Sequence, residues 1–286
     1  MSKRFFRLPF DDVMSGMGRI VEGSTPGGAM APMIITMLVT WILYVPVHEL
    51  LHVYGCIWTG GTVSELQIQW YYFGHQLAAI FDFVVVEGDY AGRLSGFDTK
   101  GNDWIYLATD FGPFTLTVLF GVTMLRYCAM HRQRWMFGPS IVLGMAPFYN
   151  IQGDYYEMAS IILTRGLTIL SGGGNPPRFE GLRSDDIFTL FPDIVLHPSA
   201  IGLEESALTV VFSLFTAVLG VLLAIFLAFA TYWMGNLVAT AVLGPAPVFA
   251  MPEPKKRRRK KKKKKKRAAP QTEQAGAEST TDDAAT

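Results

Sequence analysis

The chain of 286 residues carries 25 Lys and Arg against 24 Asp and Glu, but this balance of +1 hides two opposed parts. Thirteen basic residues run without interruption from Lys255 to Arg267, and the chain up to Pro252 keeps 12 basic and 19 acidic residues, a charge of −7. Half of the residues are apolar, Ala207 to Leu243 holds no charge, and the two cysteines lack metal-site spacing, which excludes collagen, coiled-coil, disulfide-rich and wholly soluble classes.

Residues 1–27 read as a short amphipathic lead with Lys3, Arg4 and Arg7. It is no secretory signal, because it opens polar and the first apolar run is too long and too late. A first membrane span is expected at about 28–57, with its ionisable residues all at the far end. Alternation in Thr62–Phe73 and the β-rich run up to Gly88 predict a β insertion over about 62–88. Gly88, Gly92, Gly96 and Gly101 then punctuate a loop. A second span is expected at about 104–127, a basic connection over 128–135, and a third span at about 136–163 that carries Asn150, Asp154 and Glu157. Residues 165–205 read as a polar extracytoplasmic loop and 206–245 as a C-terminal span. Residues 246–286, polybasic and then rich in Ala, Thr and Glu, are expected to be disordered. The expected fold is thus a mainly α integral membrane protein with about four spans, a small β-hairpin or sheet between the first two, and a disordered tail.

Basic residues are enriched on cytoplasmic flanks. With the N-terminus inside, the inner segments carry Lys3, Arg4 and Arg7, then Arg126, Arg132 and Arg134, then the basic run, while both outer loops hold more acid than base. Both termini are therefore expected in the cytoplasm.

The strongest chemical signal is His48-Glu49-Leu50-Leu51-His52, an H-E-x-x-H motif. On a helix, positions i and i+4 share a face, so both imidazoles can hold one zinc ion while Glu49 deprotonates the water it activates. Ionisable groups at the end of an apolar helix are costly in lipid and point to function. A catalytic zinc needs a third protein ligand. At a rise of about 1.5 Å per residue, Asp154 lies roughly 26 Å from Phe137 and His48 roughly 30 Å from Gly28. Both fall in the outer half of the membrane, which favours Asp154. Asp110, early in the second span, is the runner-up. His75, His131 and His197 lie in loops, and Glu157, one turn past Asp154, is a candidate to orient it.

An H-E-x-x-H helix end followed two spans later by an Asn- and Asp-bearing segment resembles the site-2 protease family of intramembrane zinc metalloproteases. That family carries an N-x-x-P-x-x-x-L-D-G pattern whose Asp is the third ligand. Pro147, Asn150, Gly153 and Asp154 are the same residue types, with Pro ahead of Asn and Gly ahead of Asp. The resemblance covers about 28–164, and a smaller one, confined to the H-E-x-x-H helix, links the chain to small zincin-type membrane peptidases. It implies a zinc endopeptidase with one Zn2+ per chain on His48, His52 and Asp154. Glu49 serves as general base and the Asn150 amide steadies the oxyanion. The substrate would be a membrane-protein or membrane-proximal peptide, unwound against a sheet edge for which Leu66–Tyr72 is the candidate.

The basic run best fits anionic lipid, at about 1 kcal/mol per residue near the surface. Its PKKRRRK core also has the composition of a nucleic-acid or nuclear-import patch, a weaker reading beside a span. Trp58, Trp70, Trp104, Trp135 and Trp233 suit interfacial anchors. Two other functions compete: a non-catalytic zinc- or ion-handling membrane protein, and a membrane scaffold acting through its tail.

Overall fold

The computed structural model describes residues 3–22, 25–88, 90–170, 172, 180–184, 186–203 and 206–245. The polybasic run and the rest of the tail lie outside the described residues. Helix α1 (Lys3–Val21) is amphipathic. Val13, Met17, Ile20 and Val21 follow helical spacing and pack inward, while Phe5, Phe6 and Phe10 meet Phe229. Helix α2 (Pro26–Trp58) begins at Thr25, whose hydroxyl accepts the Gly28 N–H, with a proline in the first turn.

Strand β1 (Thr62–Ile68), a short helix α3 (Gly74–Ala78), strand β2 (Val84–Val85) and strand β3 (Gly92–Asp98) make the insertion. The sheet order is β2-β1-β3, with β1 parallel to β2 and antiparallel to β3, so that Leu66 stands beside both Val84 and Leu94. Leu66, Ile68 and Val84 close over Val53 of α2, which ties the sheet to the helix end bearing the histidines. The sequence placed strands through Phe73 and over 79–88 and a loop across Gly88–Gly101. Instead Trp70–Tyr72 is a single 3-10 turn, and the glycine-bearing stretch is the third strand. Glycine is poor in strands by propensity, but here pairing with β1 supplies the hydrogen bonds. Gly92 and Gly96 sit where Glu49 and Glu65 come close.

Helix α4 (Asp103–Phe111) is capped by Asn102, which accepts the Trp104 N–H. It runs through a 3-10 turn (Gly112–Phe114) and a π-turn (Thr117–Gly121) into α5 (Val122–His131). Pro113 has no N–H to give the ladder, which accounts for the irregular turns beside it. Among the described residues, this continuous Asp103–His131 segment, Gly27–Trp58 and Ala207–Leu243 are the three helices long and apolar enough to cross a membrane. The chain reverses at Arg132, in the left-handed region, so the expected connection over 128–135 shrinks to Arg132 and Gln133.

The expected third span divides into α6 (Arg134–Tyr149) and α7 (Asp154–Leu170). Asn150 caps α6, and Asp154 and Glu157 occupy the first turn of α7, where the helix dipole favours carboxylates. Residues 165–205 are not simply a polar loop. α7 continues to Leu170, and α8 (Ile187–Leu196) buries Ile187, Leu190 and Ile194 at helical spacing. Leu182 and Leu203 join them in the main core. Helix α9 (Ala207–Leu243) is one unbroken helix, about 55 Å long against a hydrocarbon core of about 30 Å. Its small residues Ala217, Gly220, Ala224 and Ala228 admit Tyr156 and the neighbouring core side chains.

Candidate metal centre

His48 and His52 project one turn apart from the last third of α2, and Asp154 opens α7. His48 Nε2 lies 3.1 Å from Asp154 Oδ2 and 3.2 Å from His52 Nε2, and His52 Nε2 lies 3.7 Å from the same carboxylate oxygen. These three residues form the group able to hold a metal ion among the described residues. A tetrahedral cation with bonds of about 2.0–2.1 Å spaces its ligands by about 3.3 Å, which matches the observed triangle.

The hydrogen bonding fits a cation too. His52 Nδ1 faces the Thr109 carbonyl at 2.8 Å. A carbonyl only accepts, so Nδ1 carries the proton and a neutral His52 presents a bare Nε2. That lone pair meets a carboxylate and a second imidazole nitrogen, an acceptor-rich cluster that a positive ion would satisfy.

The α2–α4 contact that delivers Thr109 depends on two glycines. A Cβ on Gly112 would lie 2.2 Å from the Leu51 carbonyl oxygen, and one on Gly55 would lie 2.4 Å from that of Ala108. Backbones therefore meet directly at this crossing, and the Thr109 carbonyl, which also accepts the Gly112 N–H, reaches His52.

The triad lines a cavity of about 490 Å³. Glu49 lines it as well, within electrostatic reach of His52 and Asp154. Its side chain rests against β3, where a Cβ on Gly92 would come within 2.5 Å of Glu49 Cγ. Arg93, Ser95 and Phe97 continue the same wall. On this face of the sheet, hydrogen bonds from Gln67 and Ser95 hold the Glu65 carboxyl below its usual range.

Asn150 lines the cavity, but its Nδ2 donates to the Ala146 carbonyl at 3.0 Å and its side chain also hydrogen-bonds the Tyr44 hydroxyl. Asp110, the runner-up ligand, is buried in the cavity wall and is not part of the triad. Glu157 accepts a hydrogen bond from the Tyr106 hydroxyl across the cavity. His75, His131 and His197 do not line it. The expected substrate strand at Leu66–Tyr72 needs correction. β1 is the central strand with a neighbour on each side, so β3 and β2 supply the sheet edges, and β3 is the one at the cavity.

Sequence reasoning missed four contributors. Tyr44 is hydrogen-bonded to His48 Nδ1 at 2.8 Å. Its position four residues before His48 was a legible signal, since i and i+4 share a helix face. The Thr109 carbonyl and Gly92 gave none, because a backbone atom and a missing side chain act only through tertiary contact. The fourth is Arg183, whose guanidinium makes a two-point pair with Asp103 at 2.9 and 3.2 Å and donates to Thr164 Oγ1 at 2.9 Å. This holds the segment bearing Ser184 and Asp186 against the cavity.

Comparison with protein-family models, with curated proteins and with solved structures gave no match. The chemistry of these side chains therefore carries the functional reading.

Proposed function

We propose that the chain is a membrane-embedded zinc metalloendopeptidase, similar in chemistry to the site-2 protease family, that cuts peptide bonds in or near the bilayer. The observation that carries this reading is the convergence of His48 with Asp154, 106 residues away in sequence, at one point of a cavity that Glu49 also lines. Zinc held by His48, His52 and Asp154 would supply the positive charge that acidifies a water and polarises a scissile carbonyl. Glu49 is the general base. Its carboxylate takes a proton from the attacking water and returns it to the leaving amide nitrogen, so the C–N bond breaks as the new C–O bond is retained. The β3 edge beside Glu49 suits an extended segment added as a further strand, which requires the substrate to be unwound first.

The membrane arrangement in this proposal has four crossings, with α6 and α7 together forming the third. α6 alone is about 24 Å long, short of the hydrocarbon thickness. Three contacts support a shared cytoplasmic end. Arg132 pairs with Glu22 of α1 at 2.9 Å, Tyr232 donates to Asp12, and Arg126 reaches Thr240 and the Gly244 carbonyl. The C-terminal end of α1, the α5–α6 turn and the end of α9 thus gather together; the basic run, which lies outside the described residues, is proposed to bind anionic lipid.

In detergent, the purified wild type should carry one zinc per chain, and His48→Ala or Asp154→Ala should lose it. Glu49→Gln should keep the metal and lose about 10²–10⁴-fold in peptide hydrolysis, the usual worth of a general base. Zinc retained alongside an unchanged function in Glu49→Gln would favour the non-catalytic, ion-handling alternative. A folded wild type with no zinc would overturn the metallopeptidase reading.

A further inference from the structure

The two histidines of the triad are held from behind by different kinds of partner. The Nδ1 of His52 faces a carbonyl, which can only accept. The Nδ1 of His48 faces the Tyr44 hydroxyl, which can accept or donate. Tyr44 is 5% exposed, and its ring sits among Trp41, His48 and the core cluster that includes Phe114 and Tyr155. Its hydroxyl lies on the Nδ1 side of His48, away from the Nε2 atom that meets Asp154 and His52. The phenol therefore touches the imidazole and not the point where a substrate would react.

These geometries imply two satisfied arrangements of one site. Without a cation, a proton on His48 Nε2 serves both the Asp154 carboxylate at 3.1 Å and the bare nitrogen of His52 at 3.2 Å. Tyr44 then donates to His48 Nδ1. With a cation, Nε2 must offer its lone pair, the proton resides on Nδ1, and the Tyr44 oxygen accepts it. The proton count on His48 is the same in both arrangements, and only the tautomer and the direction of the Tyr44 O–H change. A carbonyl in place of Tyr44 would leave the metal-free cluster with three facing acceptors, and an apolar residue would leave Nδ1 without a partner in either state.

We propose that Tyr44 is a positioning residue whose hydroxyl pairs with either His48 tautomer and holds the ring in place, allowing the triad to be satisfied empty and to take up a divalent cation. This rests on the metallopeptidase reading for the identity of the site, but it is measured through metal binding and not through hydrolysis. The test uses the full-length protein in detergent, as wild type and Tyr44→Phe, titrated with zinc against a chelator of known affinity. Tyr44→Phe keeps the ring, so a purely packing role leaves the zinc affinity at its wild-type value. The proposal expects an affinity about 10–100-fold weaker, as for loss of a group that orients a ligand histidine. Proton-coupled nitrogen spectra of histidine-labelled wild type give the second readout. His48 should pass from Nε2–H to Nδ1–H on zinc addition, while His52 stays Nδ1–H throughout. Wild-type affinity in Tyr44→Phe, or a His48 tautomer that does not change, would overturn the role of Tyr44 and leave the metal site standing. No zinc binding by the folded wild type would overturn both.

Discussion

At the scale of single residues, the absence of a side chain matters as much as its chemistry. Gly92 makes room for Glu49, and a methyl group there would overlap Glu49 Cγ at 2.5 Å. The neighbour that must yield is a side chain and not backbone, so Gly92→Ala should fold and, on the proposed reading, still bind zinc. It should also push Glu49 off the line of attack. A misplacement of about 1 Å can cost about 10²-fold in rate, and that drop is expected in a peptide-hydrolysis assay with zinc content unchanged. The H-E-x-x-H residues were legible because a local spacing in one helix is sufficient for them. Asp154 was the favoured third ligand from its expected position along the third span, with Asp110 left as the alternative, and the fold brings Asp154 to the two histidines. Asn150 was given a role at the oxyanion, yet its amide is directed to Ala146 and Tyr44, a matter of local backbone geometry that no residue type announces.

At the scale of elements, the α2–α4 crossing positions the chemistry. Gly55 and Gly112 let the two backbones touch, and the same contact turns the Thr109 carbonyl toward His52. In Gly112→Ala the clash is with the Leu51 carbonyl of the facing helix, which cannot rotate away. Overpacking of this kind costs about 1–3 kcal/mol. A lower thermal midpoint together with weaker zinc binding is therefore expected, because His52 loses its orienting partner. An unchanged midpoint would mean that the helices separate without strain. Both long apolar helices at the chain ends were readable from composition, since a long run without charge has few other solutions. The break between α6 and α7 was not. Hydropathy averages over the polar turn at 150–153, whereas the capping at Asn150 and the carboxylates at the start of α7 decide it locally. Strand β3 was hidden for a related reason: its glycines lower the propensity, and only pairing with β1 restores the strand.

At the scale of the whole molecule, the proposed membrane topology predicts which surfaces are reachable from each side. Cys56 and Cys128 are buried, so they form a quiet background for introduced cysteines. Gln76 in the sheet insertion and Gln133 in the α5–α6 turn are both exposed. Gln76→Cys should react with a membrane-impermeant maleimide in intact cells, and Gln133→Cys only after permeabilisation. The opposite pattern would invert the orientation while leaving the metal triad as it is.

Local sequence patterns were sufficient for the long apolar helices, the H-E-x-x-H helix and the separation of a basic run from an acidic body. Each of these follows from composition or from spacing within one segment, where hydrophobic transfer and helical periodicity act locally. Packing settled the choice between Asp154 and Asp110 for the group beside the two histidines, and it alone decided that β3 and not β1 offers its edge to the cavity and that the Thr109 carbonyl stands behind His52. Those outcomes depend on how closely backbones approach and on which lone pair faces which proton. Such contacts join residues far apart in the chain, and they exist only once the helices have packed.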